Sequence, residues 1–175
     1  MTDAAPEFSR TINADRIQVD NPRAENIVAN ETERAALAKR FEILAIDKLS
    51  AALTITRLPD DPAVVMVTGR VNANVQQACV VTNEPVPEKI DEEFETLLAS
   101  PANVKKWLAE HPEDDLDAPE VIEYGHIDIG EIAAQYLALA LNPYPRKEGL
   151  EYSDEPLPEP KQSPFAVLAA LKDKA

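Results

Sequence analysis

Every second residue from Val65 to Val81 reads Val65, Val67, Gly69, Val71, Ala73, Val75, Gln77, Cys79 and Val81, an apolar phase interrupted by one polar side chain. Alternation of this kind puts one face of a β-strand against a core. No Asn-Gly, Asp-Gly or Gly-Gly pair breaks the run, so the pattern predicts one long strand in preference to a tight hairpin. Unbent, such a strand would span about 55 Å, more than the width of a small domain. It must therefore bend, and the missing Cβ makes Gly69 the expected place for a bulge or sharp coil.

The remaining pattern builds layers around that strand. Phe8 to Val19 reads as a first extended segment ended by Asn21-Pro22. A helix begins at Asn30 or Thr32, either of which can cap free amides, and places Leu37, Phe41 and Leu44 on one face. That stripe reads as core packing. Ala51 to Leu58 alternates and is rich in β-branched residues, predicting a strand joined to the long one as an antiparallel pair through the stiff turn Pro59-Asp60-Asp61-Pro62. Ile90 to Leu98 predicts a further strand. Ser100-Pro101 opens a short helix with Val104, Trp107 and Leu108 on one side. Glu113 to Asp117 reads as an exposed loop and Val121 to Ile127 as another strand. Asp128 with Glu131 has capping-box spacing. Behind it, Ile132, Ala133, Tyr136, Leu137, Leu139, Ala140 and Leu141 describe a helix buried on most sides and stopped by Asn142-Pro143.

From about Lys147 the composition changes. Pro156, Pro158 and Pro160 among Glu and Lys describe a semi-rigid linker. Ser163-Pro164 then starts a short helix bearing Phe165, Leu168 and Leu171, which either packs back on the domain or awaits a partner. The expected organisation is one α+β domain over residues 1–147 and a Pro-rich acidic tail over 148–175. Its sheet is mainly antiparallel, bent strongly enough to approach a barrel, and covered by helices near 31–44 and 129–141.

Charge alters this picture more than composition does. The 175 residues carry a formal net charge of −15, and Glu84 to Glu131 holds fifteen acidic residues against Lys89, Lys105 and Lys106. Such a surface repels phosphate backbones and attracts basic proteins, or serves only as a solubilising face. Glu113, Asp114, Asp115 and Asp117 are its candidate contact residues, and Phe165 and Leu168 those of the tail. Basic residues are few; Arg34, Lys39, Arg40 and Arg146 are the candidates for local contact with RNA. A single cysteine, an amino-terminal segment with Asp3, Glu7 and no apolar run, and no long apolar stretch predict a soluble protein of a reducing compartment, the cytoplasm.

Catalytic chemistry finds little to use. His111 and His126 are the only histidines, and neither stands at ligand spacing from Cys79 or from the other. Cys79 shares the buried parity of Val75, so a free core thiol is expected. A dyad formed with a histidine in space stays open, as does a general-base role for His126. The 113–117 loop lacks the glycine and terminal glutamate of a calcium site. No phosphate loop, nucleophile elbow or HExxH is present, and no aromatics interleave with basic residues to stack bases. Neither a metal nor another cofactor is expected.

Four blocks carry a resemblance: Gly69-Arg70-Val71; Cys79-Val80-Val81-Thr82-Asn83-Glu84-Pro85-Val86; Ile127-Asp128-Ile129-Gly130-Glu131; and Asn142-Pro143-Tyr144-Pro145-Arg146. Over about residues 8 to 172 the chain resembles the YceD family, bacterial and plastid domains linked to accumulation of large-subunit ribosomal RNA. Ala35 to Phe41 and Pro164 to Leu168 are similar to its alphaproteobacterial branch. Many relatives carry Cys-x-Arg-Cys before Glu-Pro; here Cys79 keeps the first cysteine, while Val81 and Thr82 occupy the Arg and second Cys positions. The resemblance implies a non-enzymatic, cytosolic factor in large-subunit ribosome biogenesis, and the acidic region suggests binding to a basic ribosomal protein or assembly factor. Two alternatives accompany it: an enzyme acting on RNA or a small molecule through Cys79 or His126, and a protein that binds rRNA directly.

Overall fold

The structure, a computed structural model, describes residues 6–19, 21–59, 63–111 and 118–149. In chain order its elements are β1 Thr11–Asn13, a short 3-10 turn Ala14–Arg16, β2 Arg23–Val28, α1 Glu31–Arg40, β3 Ala45–Arg57, β4 Val64–Ala78 and β5 Pro85–Ala99. There follow α2 Pro101–Glu110, β6 Glu120–Val121, β7 His126–Asp128 and α3 Ile129–Ala140. The five-stranded sheet runs β2-β3-β4-β5-β6, antiparallel throughout except for the parallel β5–β6 pair, while β1 and β7 pair separately. This is an α+β fold with an open sheet. The predicted turn at Pro59 to Pro62 and the tail helix bearing Phe165 and Leu168 lie wholly or partly outside the described residues.

β4 is the central strand, and its odd-numbered face behaves as the alternation requires. Val65, Val67, Val71, Ala73 and Val75 are buried, and Gln77 and Cys79 follow in phase. The phase ends there, because the chain turns at Val80 and Val81 is exposed. Leu49, Leu53 and Ile55 of β3 and Ile90, Phe94 and Leu98 of β5 extend the same face sideways.

Gly69 is not a bulge. It pairs in unbroken register with Leu53 on one side and Phe94 on the other, and the irregularity falls in β3 between Ile46 and Lys48. A Cβ on Gly69 would stand 2.5 Å from Cζ of Phe94 and 3.2 Å from the Ala52 carbonyl oxygen. The glycine is therefore needed for space: the Phe94 ring fills the volume a side chain would take.

Each helix starts where its capping residue predicts. The Asn30 side chain accepts from the Glu33 amide at 3.0 Å, while the Glu33 carboxylate accepts from the Asn30 amide at 2.8 Å, a reciprocal box. Ser100 caps α2 with Pro101 behind it. Asp128 caps α3, accepting from the Gly130 and Glu131 amides. Glu131 does not return to its own cap as a capping box would have it; both its carboxylate oxygens take the Arg40 guanidinium, at 2.7 and 2.9 Å.

Two expected apolar positions are open to solvent. Leu44 is 51% exposed because α1 ends at Arg40, before the stripe reaches it. Leu139 is 79% exposed because α3 buries Ile132, Ala133 and Leu137 on one side only. The strand expected over 121–127 is two short ones in different sheets, divided at Tyr124 and Gly125, whose φ values are 50° and 72°.

Gly69→Ala should lower stability by about 1–3 kcal/mol through overpacking against the ring, read as a lower urea midpoint. Adding Phe94→Leu to the same chain should return part of that loss; a neutral Gly69→Ala would show that the fit is loose.

Candidate functional site

The structure brings two of the sequence blocks together at the far end of β4, though more than fifty positions of chain lie between them. The Cys79 amide donates to the Glu84 carbonyl at 2.8 Å and the Asn83 amide to the Cys79 carbonyl at 2.9 Å. Together these bonds close the β4–β5 connection, with Asn83 at φ 58°. The segment after α3 lies across this turn. Gln77 Nε2 donates to the Asn142 carbonyl at 3.0 Å, the Val80 amide to the Pro145 carbonyl at 2.9 Å, and Lys147 Nζ meets the Glu84 carboxylate at 2.8 Å. Prolines 143 and 145 fix two φ angles in this segment, which bends at Pro143 and Tyr144, where the Tyr144 amide donates to Asn142 Oδ1 at 2.9 Å. The assembled knob exposes Val80, Val81 and Tyr144.

Cys79 is the buried centre of the knob. The Thr82 hydroxyl and the backbone amides of Lys147, Val81 and Thr82 surround its thiol and favour the thiolate, bringing its pKa down to about 6. Burial acts the other way and is outweighed by the Thr82 hydroxyl and the Lys147 and Val81 amides. Thr82 is thus in contact with the cysteine three residues before it. Gln77 Oε1, two residues earlier on the same face, is buried with no hydrogen-bond partner among the described residues.

No histidine joins this thiol. Nδ1 of His126 lies 2.8 Å from the Tyr124 carbonyl oxygen; His111 stacks on Trp107 beyond the end of α2. Both elements sit at the Val64 end of β4. Asn103 of α2 bonds the Ala63 carbonyl, while Gly125 accepts from Ala14, whose own carbonyl takes Arg57. Arg57 pairs with Val65 near the start of β4, whereas the thiol stands just past the strand's other end. Among the described residues, no group of three His, Cys, Asp or Glu could hold a metal ion.

The model of the family described as large ribosomal RNA subunit accumulation protein YceD matches residues 67–172, a span that contains both blocks of the knob. The chain belongs to the YceD family. A Haemophilus influenzae relative named large ribosomal RNA subunit accumulation protein YceD is 34% identical over 158 residues, covering 83% of this chain and 84% of the relative. No solved structure matches the chain.

The basic residues Arg34, Lys39, Arg40 and Arg146 do not form one patch. At 100° per residue, Lys39 and Arg40 stand about 140° and 240° around α1 from Arg34. Arg34 donates to the Ala29 and Ile46 carbonyls, and Arg40 is held by Glu131 and Glu7. Lys39 and Arg146 are exposed. Glu113, Asp114, Asp115 and Asp117 lie outside the described residues.

A different acidic row is in view. β5 carries Glu88, Asp91, Glu92, Glu93 and Glu95 with one lysine, Lys89. Arg70 of β4 reaches Asp91 at 2.6 Å and Glu93 at 3.7 Å. All three side chains are more than half exposed, so these pairs hold little energy. The alternation of Asp91, Glu93 and Glu95 was the available sequence signal: every second residue of a strand projects from one face.

The thiol gives the knob a pH signature. Its folded value lies below the 9.0 of an unperturbed cysteine, so ionisation favours the folded state fully above the upper value. That support should fade as pH falls and be gone below about 6. Cys79→Ala should therefore flatten the rise in stability between pH 6 and 9, measured as Tm, and remove a thiolate absorbance titrating near 6. A titration near 9 would show that the amides do not hold the sulfur.

Proposed function

We propose that this chain promotes accumulation of large-subunit ribosomal RNA in the cytoplasm by binding, with no chemical step of its own, to a basic ribosomal protein or assembly factor. Membership of a family described by rRNA accumulation supports the process, and the name of the Haemophilus relative supports it again. The observation that carries the mechanism is the acidic row on β5. Five carboxylates in one strand, only partly offset by Lys89 and Arg70, project a negative field that draws cationic surfaces and repels phosphate backbones. No helix among the described residues is long and apolar enough to cross a membrane.

A thiol with a low pKa is the one observation on the side of an enzyme. It is buried, and among the described residues its hydrogen-bond partners are amides and a hydroxyl, with the Lys147 ammonium nearby as a charge and no general base among them. Binding is the better account.

Affinity capture from cells should retain basic large-subunit proteins or their assembly factors. Glu92→Lys with Glu93→Lys should cut that retention severalfold and lower the level of large-subunit rRNA, whereas Cys79→Ser should leave the rRNA level unchanged. Capture abolished by nuclease would favour direct rRNA binding, and rRNA loss in a folded Cys79→Ser chain would favour the enzyme.

A further inference from the structure

We infer that the outer edge of β5 is a strand-addition site, taking an extended polypeptide segment in which basic and apolar residues alternate. This rests on the acidic-surface reading of the preceding subsection and specifies how the partner is held. The Glu95 carbonyl accepts from the Tyr136 hydroxyl at 2.9 Å, and the Ala99 carbonyl accepts from the Ile122 amide at 2.8 Å. Odd-numbered residues of β5 therefore turn their backbone groups away from β4. Ladder alternation extends this to Lys89, Asp91, Glu93 and Leu97. Among the described residues, β6 pairs only with Leu98 and Ala99, which leaves the edge amides of Lys89, Asp91, Glu93, Glu95 and Leu97 without a strand partner, with the Glu95 carbonyl alone taken by Tyr136. Pro85 and Pro87 lack amide hydrogens and blunt the start of the same edge, so the open stretch is 89–97.

Side chains give that edge its specificity. The same odd residues point to the uncovered face of the sheet, so Asp91, Glu93 and Glu95 recur at about 6.8 Å along the edge. A strand laid beside them would set every second side chain directly across from a carboxylate, where opposite charges stabilise and like charges oppose. Its intervening side chains would fall on the other face, toward α3. There Tyr136 is half-buried over Phe94, and Leu139, one helical turn on, is 79% exposed. Lysine or arginine alternating with apolar residues fits both faces. A second copy of this chain does not, because pairing two β5 edges would place carboxylate against carboxylate.

The test uses the full chain and three synthetic peptides. One alternates lysine and valine, one holds the same residues in two blocks, and one is the alternating peptide N-methylated at every second amide. The alternating peptide should bind at least about tenfold tighter than either of the others and slow hydrogen exchange at the amides of Asp91, Glu93 and Glu95. Equal affinity of all three, weakened alike by salt, would overturn strand addition and leave the acidic-surface reading standing. No binding by any of them would overturn both. Edge amides already protected in the full chain and released by deleting residues 150–175 would overturn the inference by showing that the tail occupies the edge.

Discussion

A missing side chain governs how the sheet meets its helices. Because Gly69 has no Cβ, the Phe94 ring lies over the middle of β4 and presents its other face to Tyr136, 4.2 Å away and nearly parallel. Tyr136 then carries its hydroxyl past the sheet to the Glu95 carbonyl. One vacancy thus sets the ring, the ring sets the seat of α3, and α3 in turn caps one carbonyl of the β5 edge. A Cβ at residue 69 would have to move either the aromatic pair or the β3 backbone, and both are tightly packed.

Charge performs the comparable task at the amino-terminal side. The Arg10 guanidinium clamps Glu33 and holds its carboxyl below the usual range, while that same carboxylate completes the cap of α1. The Arg10 amide donates to Asp128, the cap of α3, and Arg40 joins α1 to Glu131. Capping groups shared in this way couple the positions of two helices and the segment that crosses them. The Phe8 side chain is wholly buried beneath that crossing.

Much of this was legible because strands and caps are local. Parity placed Val65 to Cys79 correctly, and the helix starts follow from Asn30, Ser100 and Asp128. Gly69 misled because glycine answers two different needs, backbone freedom and room for a neighbour, and only the position of Phe94 separates them. Glu131 misled because a carboxylate with capping spacing has a stronger claimant in Arg40, distant in sequence. The knob around Cys79 was visible only as two unrelated blocks. Nothing in the order of residues says that Asn142 and Pro145 return to Gln77 and Val80, since contacts of that range depend on the whole sheet. The acidic row on β5 could have been read from alternation, but total charge drew attention to the run at 113–117 instead.

The hydrogen bond between Arg10 and Asp128 joins residues 118 positions apart, and among the described residues β1 pairs with β7 alone. While the chain is being synthesised, the β3–β4–β5 meander has all its pairing residues early and can zip by short turns. Phe8 and β1 must wait, because the surface that buries them has not yet been made. Completion of this fold is therefore a late event, in which Phe8 and β1, although made before the sheet, are among the last to lose contact with water.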